Sequence, residues 1–448
     1  MSGPVVRFAP SPTGLIHIGN ARTALLNALW ARKNGGTFIL RLDDTDRARS
    51  EERFAEAIKA DLSWLGIAPD RIKRQSARMT RYEETLAKLR ELGRVYACYE
   101  TEEELDRKRK RQLGRGLPPA YDRAALAMSD DDRAKFESEG RKPYWRFKLD
   151  HHVAKWNDLV RGEIAIDTAS LSDPVVCRAD GTWLYSLASV VDDIDMKVTH
   201  VVRGEDHITN TAAQLDMFAA LGASAPTFAH HNLLTLPGGE GLSKRFGSLS
   251  IQSLREAGHE ALAVAAVAVL TGTSHAVEPA ESLDALAAKI DFGKISHGPA
   301  RFDPADLDVL TAKTLHAASF AAVAVRLGAL KVGGGEQFWL AVRGNLVKLA
   351  EAAEWWEVVS APLATKIADA DREFCRLAET LLPQEPWSEK VWDEWLAAIK
   401  PVANRKGREL FHPLRIALTA RENGPELRAL LPLIGRARAS ARLRGETA

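Results

Sequence analysis

In Pro12–Asn20, PTGLIHIGN, a histidine stands just ahead of an expected helix start, with Gly14 before it and Gly19 after it. Its imidazole and the first unpaired N–H groups of such a helix can converge on a phosphate, and Gly19 leaves room for close backbone approach. A second stretch, GGEGLSKRFGSLSI (Gly238–Ile251), is a glycine-rich loop ahead of another helix and carries Lys244 and Arg245. Cations on a loop of that kind can follow charge as it develops on a polyphosphate. Arg7 and Arg203 stand at the ends of two expected strands, and two guanidiniums facing one crevice suit a substrate with more than one carboxylate. Singly, each has a blander reading: His17 as a core histidine, Lys244 in a solvated turn, Arg7 as a surface charge. Their joint placement favours a site.

The elements that would position them alternate. Val5–Phe8 reads as a strand, and Ala21, Ala24, Leu25, Ala28 and Leu29 fall at helical spacing, with Asn20 at the expected N-cap and Gly35–Gly36 as the stop. Thr37–Leu42 is a second buried strand ending in DDTD (Asp43–Asp46), and Ser50 is the expected cap of a second helix. Strand–helix–strand–helix argues for a parallel doubly wound sheet, whose ligands bind outside the carboxyl ends of the strands. The segment Tyr144–Tyr185 is β-rich, with a hairpin signal at Asp180–Gly181. The α/β pattern then returns, with strands expected at Val198–Val202 and Asn232–Leu236 and a helix at Ala212–Leu221. The α/β domain is therefore split by an insertion of roughly a hundred residues, the size of a small domain. Beyond about Ser250 the chain reads as helical, with Trp355, Trp356, Trp392 and Trp395 expected in a core.

Composition excludes more than it selects. With 61 Lys+Arg against 60 Asp+Glu, the net charge of +1 gives no global sign of a nucleic-acid partner. A local excess lies in Pro401–Ala448, where ten Lys/Arg face four Asp/Glu, a net of +6; on charge alone that is a solvated helical face. Cys98, Cys177 and Cys375 are too far apart for a disulfide framework or thiolate cluster. No apolar run suits a signal peptide or a bilayer span, so no membrane partner and a cytoplasmic location are expected. No stretch fits G-x-x-x-x-G-K-[ST] or a strand-following G-x-G-x-x-G, which argues against P-loop and nicotinamide chemistry.

HIGN resembles the HIGH signature and LSKR the KMSKS signature of class I aminoacyl-tRNA synthetases. More narrowly, RFAPSPTG, ARTALLNALWARKNGGTFILRLDDTDRARS, VVDDIDMKVTHVVRGEDHITNT and RKGRELFHPLRIALTARENGPEL are similar, in this order, to bacterial-type glutamyl-tRNA synthetase. The resemblance covers nearly the whole chain and implies five parts. These are the first half of a split Rossmann catalytic domain (1–95), an inserted α+β acceptor-end-binding domain (96–184), the second Rossmann half with the LSKR loop (185–250), a helical connecting domain (251–315), and an α-helical anticodon-binding domain (316–448). It would give the +6 excess a purpose as a phosphate-tracking surface.

The implied activity is a glutamate–tRNA ligase: glutamyl-adenylate forms from glutamate and ATP, then transfers to the 3′ end of tRNA-Glu. Charging of tRNA-Gln as well, or a bias towards it, stays open. By resemblance the HIGH region comprises Ala9, Pro10, Ser11, Pro12, Thr13, Gly14, Leu15, Ile16, His17, Ile18 and Gly19, and the KMSKS region Gly241, Leu242, Ser243, Lys244 and Arg245. His17 and Lys244 would be catalytic. ATP would be held by His17, Gly19, Asn20, Leu234, Ser243, Lys244 and Arg245. Glutamate would be held by Arg7, Ala9, Ser11, Asp43, Tyr185 and Arg203, with Asp43 and Tyr185 at its amino group. Mg²⁺ would accompany ATP, and a monomer is implied.

The chain departs from the family pattern at Asn20 (the fourth HIGH position), Gly241 (the first KMSKS position), Asp43 (often Glu) and Ser189 (in some relatives Asn). Some relatives carry a structural zinc in the insertion. Here Cys98 has no second cysteine in CYET or after PPAYDRAAL, so no zinc and a buried thiol are expected. The competing readings are a small-molecule nucleotidylyltransferase, a tRNA-modifying paralogue, and an inactive tRNA-binding protein. The first two have no use for the helical third of the chain, and His17 with Lys244 argues against the last.

Overall fold

The computed structural model describes residues 3–116, 119–242, 249–388 and 390–448. It comprises two compact units, one of residues 1–257 and 261–303, the other of 258–260 and 304–448.

In the first unit the strands Val5–Phe8, Thr37–Leu42 and Arg71–Arg74 form a parallel sheet with Thr37–Leu42 in the middle. Each crossover is a helix, Ile18–Lys33 and then Glu52–Trp64, as parallel neighbours require. Strands His200–Gly204 and Thr227–His231 form a second parallel pair. Its edge meets the first sheet where Thr199 N donates to Val5 O at 2.9 Å, and Val5 N to Thr199 Oγ1 at 2.8 Å. The two halves of the α/β domain thus meet edge to edge, and the carboxyl ends of Val5–Phe8 and His200–Gly204 lie side by side.

Between them, Val95–Cys98, Tyr144–Phe147 and Val175–Cys177 form a small antiparallel sheet, and Val153–Asp158 pairs with Gly162–Asp167 as a hairpin. The hairpin docks on the parallel sheet, where Leu159 N donates to Phe228 O at 2.9 Å. The charged stretch after Glu100 is a helix, Glu102–Leu113, with no buried residue and a Thr101/Glu104 capping box. The second unit is a stack of helices from Pro304–Ala317 to Arg436–Leu443. Trp392 and Trp395 are buried in its core, and Trp355 and Trp356 pack against it.

Four local expectations need correction. Asn20 is not an N-cap; the helix begins at Ile18 and His17 caps it. Ser50 does not cap the second helix: Glu51 takes that position, and the Ser50 hydroxyl makes no hydrogen bond among the described residues. The strand expected at Val198–Val202 runs His200–Gly204, which places Arg203 inside it, and the next helix starts at Ile208. Of Asn232–Leu236, only Leu234–Thr235 is strand, paired with Ala300–Arg301 apart from the main sheets.

Candidate active site

The loop after Val5–Phe8 is pinned by main-chain bonds. Pro10 O accepts from Asp43 N at 3.0 Å, Pro12 O from Glu51 N at 3.0 Å, and Ile16 O from Ile251 N at 2.9 Å. Thr13, Gly14, Leu15 and Ile18 frame this turn rather than line the crevice. The crevice is a cavity of about 690 Å³ at the strand ends, lined by Arg7, Ala9, Pro10, Ser11, His17, Gly19, Asn20, Asp43, Tyr185, Arg203, Leu234, Gly241 and Leu242. The structure thus brings together every described residue assigned to ATP or glutamate. Ser243, Lys244 and Arg245 lie outside the described residues.

His17 has a role the sequence reading missed. Its Nδ1 accepts from Gly19 N at 3.0 Å and Asn20 N at 3.3 Å, while Asn20 Oδ1 accepts from His17 N at 3.1 Å. The pair is a capping box built from imidazole and amide. Two helix N–H groups expected to face a phosphate are therefore taken by the ring. Because Nδ1 accepts, the neutral ring carries its proton on Nε2, and burial holds its pKa below the usual histidine value. Gly19 is required for a nearer reason than ligand approach: a Cβ there would lie 2.8 Å from the imidazole Cε1.

The two arginines are held differently. Arg7 donates through Nε to Asp193 at 3.1 Å. Arg203 is 4% exposed, and every partner is uncharged: Tyr185 Oη (2.7 Å), Thr211 Oγ1 (2.7 Å), Gln214 Oε1 (2.8 Å) and His230 Nε2 (3.3 Å). Burial lowers its pKa, yet a guanidinium stays protonated. Among the described residues, the crevice wall therefore holds a desolvated cation with no hydrogen-bonded carboxylate. Asp43, expected at an amino group, has both oxygens on Arg41, at 2.7 Å to Nε and 3.1 Å to NH2. Burial lifts its carboxyl to about 6 against the pull of Arg41. Ser189 Oγ accepts from Arg41 at 3.0 Å, and Asp193 joins Arg41 to Arg7.

Sequence reading also missed Arg22, Thr23, His207 and His231, which line the crevice. Arg22 is fully buried and donates to Ala268 O (2.6 Å) and Thr271 O (2.8 Å) at the end of the helix Ala261–Leu270. Burial lowers His207 to about 4 and His231 to about 3, so both are neutral near pH 7. Arg41 and Asp193, also missed, did carry a signal: they are charged residues inside an apolar strand and helix, FILRL and SVVDDID.

In the insertion, Cys98 Sγ lies 3.7 Å from Tyr121 Oη; Glu100 accepts from Tyr121 (2.7 Å) and Tyr144 (3.2 Å) and faces Lys108 (3.2 Å). Burial pushes the Cys98 thiol up to about 11. Among the described residues no group of three His, Cys, Asp or Glu is placed to hold a metal ion, and no helix is long and apolar enough to cross a membrane.

This crevice on a split parallel sheet, followed by a helical unit, has counterparts. Residues 5–308 match the family of class I tRNA synthetases (E and Q), catalytic domain, and residues 347–446 match an anticodon binding domain. The chain belongs to the class I tRNA synthetases of that E and Q family. It is 62% identical to glutamate–tRNA ligase 2 of Xanthobacter autotrophicus, over 100% of this chain and 98% of the relative. It is 59% identical to glutamate–tRNA ligase 2 of Methylorubrum populi, over the full length of both. Among solved structures it resembles a glutamate tRNA ligase from Elizabethkingia meningosepticum in complex with its amino acid, with a TM-score of 0.84 and 26% identity over 99% of this chain and 98% of that one.

Proposed function

We propose that the chain is a glutamate–tRNA ligase. A glutamate carboxylate oxygen attacks the α-phosphorus of ATP and pyrophosphate leaves; a terminal ribose hydroxyl of tRNA-Glu then attacks the adenylate carbonyl and AMP leaves. Neither step needs a protein nucleophile, so positioning and charge stabilisation suffice.

The observation that carries the reading is Arg203, a buried cation whose hydrogen-bond partners among the described residues are all neutral, bordering the same cavity as His17. A substrate carboxylate completes its charge. Glutamine would set an NH₂ group against guanidinium donors, a mismatch worth about 10⁴-fold or more. Arg7, Ala9, Ser11, Asp43, Tyr185 and Arg203 form the glutamate subsite, with Asp43 acting through Arg41. His17 Nε2, Gly19, Asn20 and Leu234 hold ATP, joined by Ser243, Lys244 and Arg245, with Lys244 on the phosphates. Among the described residues no group of three His, Cys, Asp or Glu would hold Mg²⁺ by itself. The ion would enter with the triphosphate.

Residues 96–184 would hold the acceptor end, 251–315 would connect, and 316–448 would bind the anticodon. The enzyme would act as a monomer in the cytoplasm. ATP–pyrophosphate exchange with glutamate, with and without tRNA, followed by charging of purified tRNA-Glu and tRNA-Gln, tests the reading. Glutamate-dependent exchange and charging of tRNA-Glu are expected. Exchange driven by another amino acid, or none under any condition, overturns it.

A further inference from the structure

Behind Arg203 lies a buried pair outside the crevice lining. Asp158 and His230 have side chains 0% exposed, and Asp158 Oδ2 stands 2.5 Å from His230 Nδ1. The other oxygen, Oδ1, accepts three main-chain amides: His230 N (3.0 Å), Val160 N (3.0 Å) and Arg161 N (3.1 Å). A carboxyl held by three amide donors is an ionised acceptor, so His230 Nδ1 carries a proton towards it. The opposite nitrogen, Nε2, lies 2.9 Å from Thr211 Oγ1 and 3.3 Å from Arg203 Nε. A guanidinium nitrogen only donates, so Nε2 must accept and the ring must be neutral.

We propose that Asp158 and His230 are positioning residues for the amino-acid subsite: Asp158 fixes the His230 tautomer, and His230 orients Arg203 without neutralising it. A carboxylate in place of His230 would orient the guanidinium equally well. It would also cancel the charge the substrate must meet. The relay of carboxylate to imidazole to guanidinium puts the anion one ring away. Asp158 closes the strand Val153–Asp158, inside the inserted stretch, so the insertion supplies a residue that shapes the glutamate pocket from behind.

The inference rests on the glutamate reading, and the test separates the two. Asp158→Asn keeps shape but lets an amide N–H face Nδ1, which turns the ring to the tautomer whose Nε2–H opposes Arg203. In ATP–pyrophosphate exchange with tRNA present, the KM for glutamate is expected to rise about 10-fold or more, with that for ATP held within about twofold. In the wild-type protein, histidine ¹⁵N NMR is expected to find His230 neutral and protonated on Nδ1. That measurement decides the matter if the variant does not fold. Wild-type glutamate exchange with an unchanged KM ratio in the variant overturns this inference alone, as does an Nε2-protonated or doubly protonated His230. Absence of glutamate-dependent exchange in the wild type overturns both.

Discussion

Arg203 in the first unit and Arg442 in the second are both buried, and among the described residues neither is paired with an Asp or Glu side chain. Arg442 donates to main-chain oxygens at Ala448 (2.7 Å), Val358 (2.8 Å), Leu418 (2.8 Å) and Ala361 (3.0 Å). Two of these belong to the last turns of the helices Glu351–Ser360 and Arg408–Thr419, where the dipoles favour a cation. Burial lowers its pKa to about 10, but the helix ends answer its charge. Arg203 is held by hydroxyls, an amide and an imidazole, beside open volume. A buried arginine is thus no sign of a site in itself; the sign is one oriented by neutral groups next to a cavity.

Four experiments would break or sharpen that contrast. Arg203→Gln should lower kcat/KM for glutamate by about 10⁴-fold with a smaller loss of Tm than Arg442→Met, because the glutamine amide can still donate to hydroxyl and amide oxygens that Arg203 holds; a large loss of Tm with activity retained would make it structural like Arg442. His17→Asn and His17→Ala should both lower kcat about 10²-fold through loss of the Nε2 donor. Only the alanine variant should lose about 1 kcal/mol of stability, since asparagine is itself a good N-cap. Equal stability losses would show that the imidazole cap is not what holds the helix start. Arg442→Met should do the reverse of Arg203→Gln: chemical denaturation should record a loss of about 3 kcal/mol or more from stranded carbonyls, with amino-acid activation per folded molecule preserved.

The smallest effect concerns Asp43. Its folded carboxyl titrates near 6, above the ordinary 3.8. Glutamate activation should therefore fall severalfold as pH drops through 6, as Asp43 protonates and its bond to Arg41 weakens. The sign for stability is opposite: the folded state binds the extra proton between about pH 4 and 6, so this group favours folding on acidification across that window. Asp43→Asn should remove the acid limb of the activity profile.

Much of the crevice was legible because its chemistry sits at strand ends, where parallel sheets place ligands. Arg7, His17 and Arg203 were expected at the crevice on this ground, and they line it. Their supports were not legible. Asp193 reaches Arg7 and Arg41 from a helix more than 150 residues away, and Asp158 reaches His230 from the hairpin; no local pattern encodes such partners. The capping function of His17 was hidden because imidazole is an unusual cap and Asn20 offered a commoner one. The +6 excess was legible as charge, but its pairing was not. Arg442 is buried, Arg405 meets Asp371 (2.5 Å), Arg428 meets Asp393 (2.7 Å) and Arg444 meets Glu379 (3.1 Å), so ion pairing and helix ends account for much of it. Lys406, Arg408, Arg421, Arg428, Arg438 and Arg444 are exposed.

The edge-to-edge bond between Val5 and Thr199 joins residues 194 apart in the chain. At a synthesis rate of roughly 5–20 residues per second, the strand carrying Arg7 leaves the ribosome about 10–40 s before the strand carrying Arg203. For that interval the nascent protein has His17 and its helix but no opposing wall, and neither nucleotide nor amino acid has a complete place to rest. A crevice closed on both sides therefore arrives late, only once translation has passed the second pair of strands.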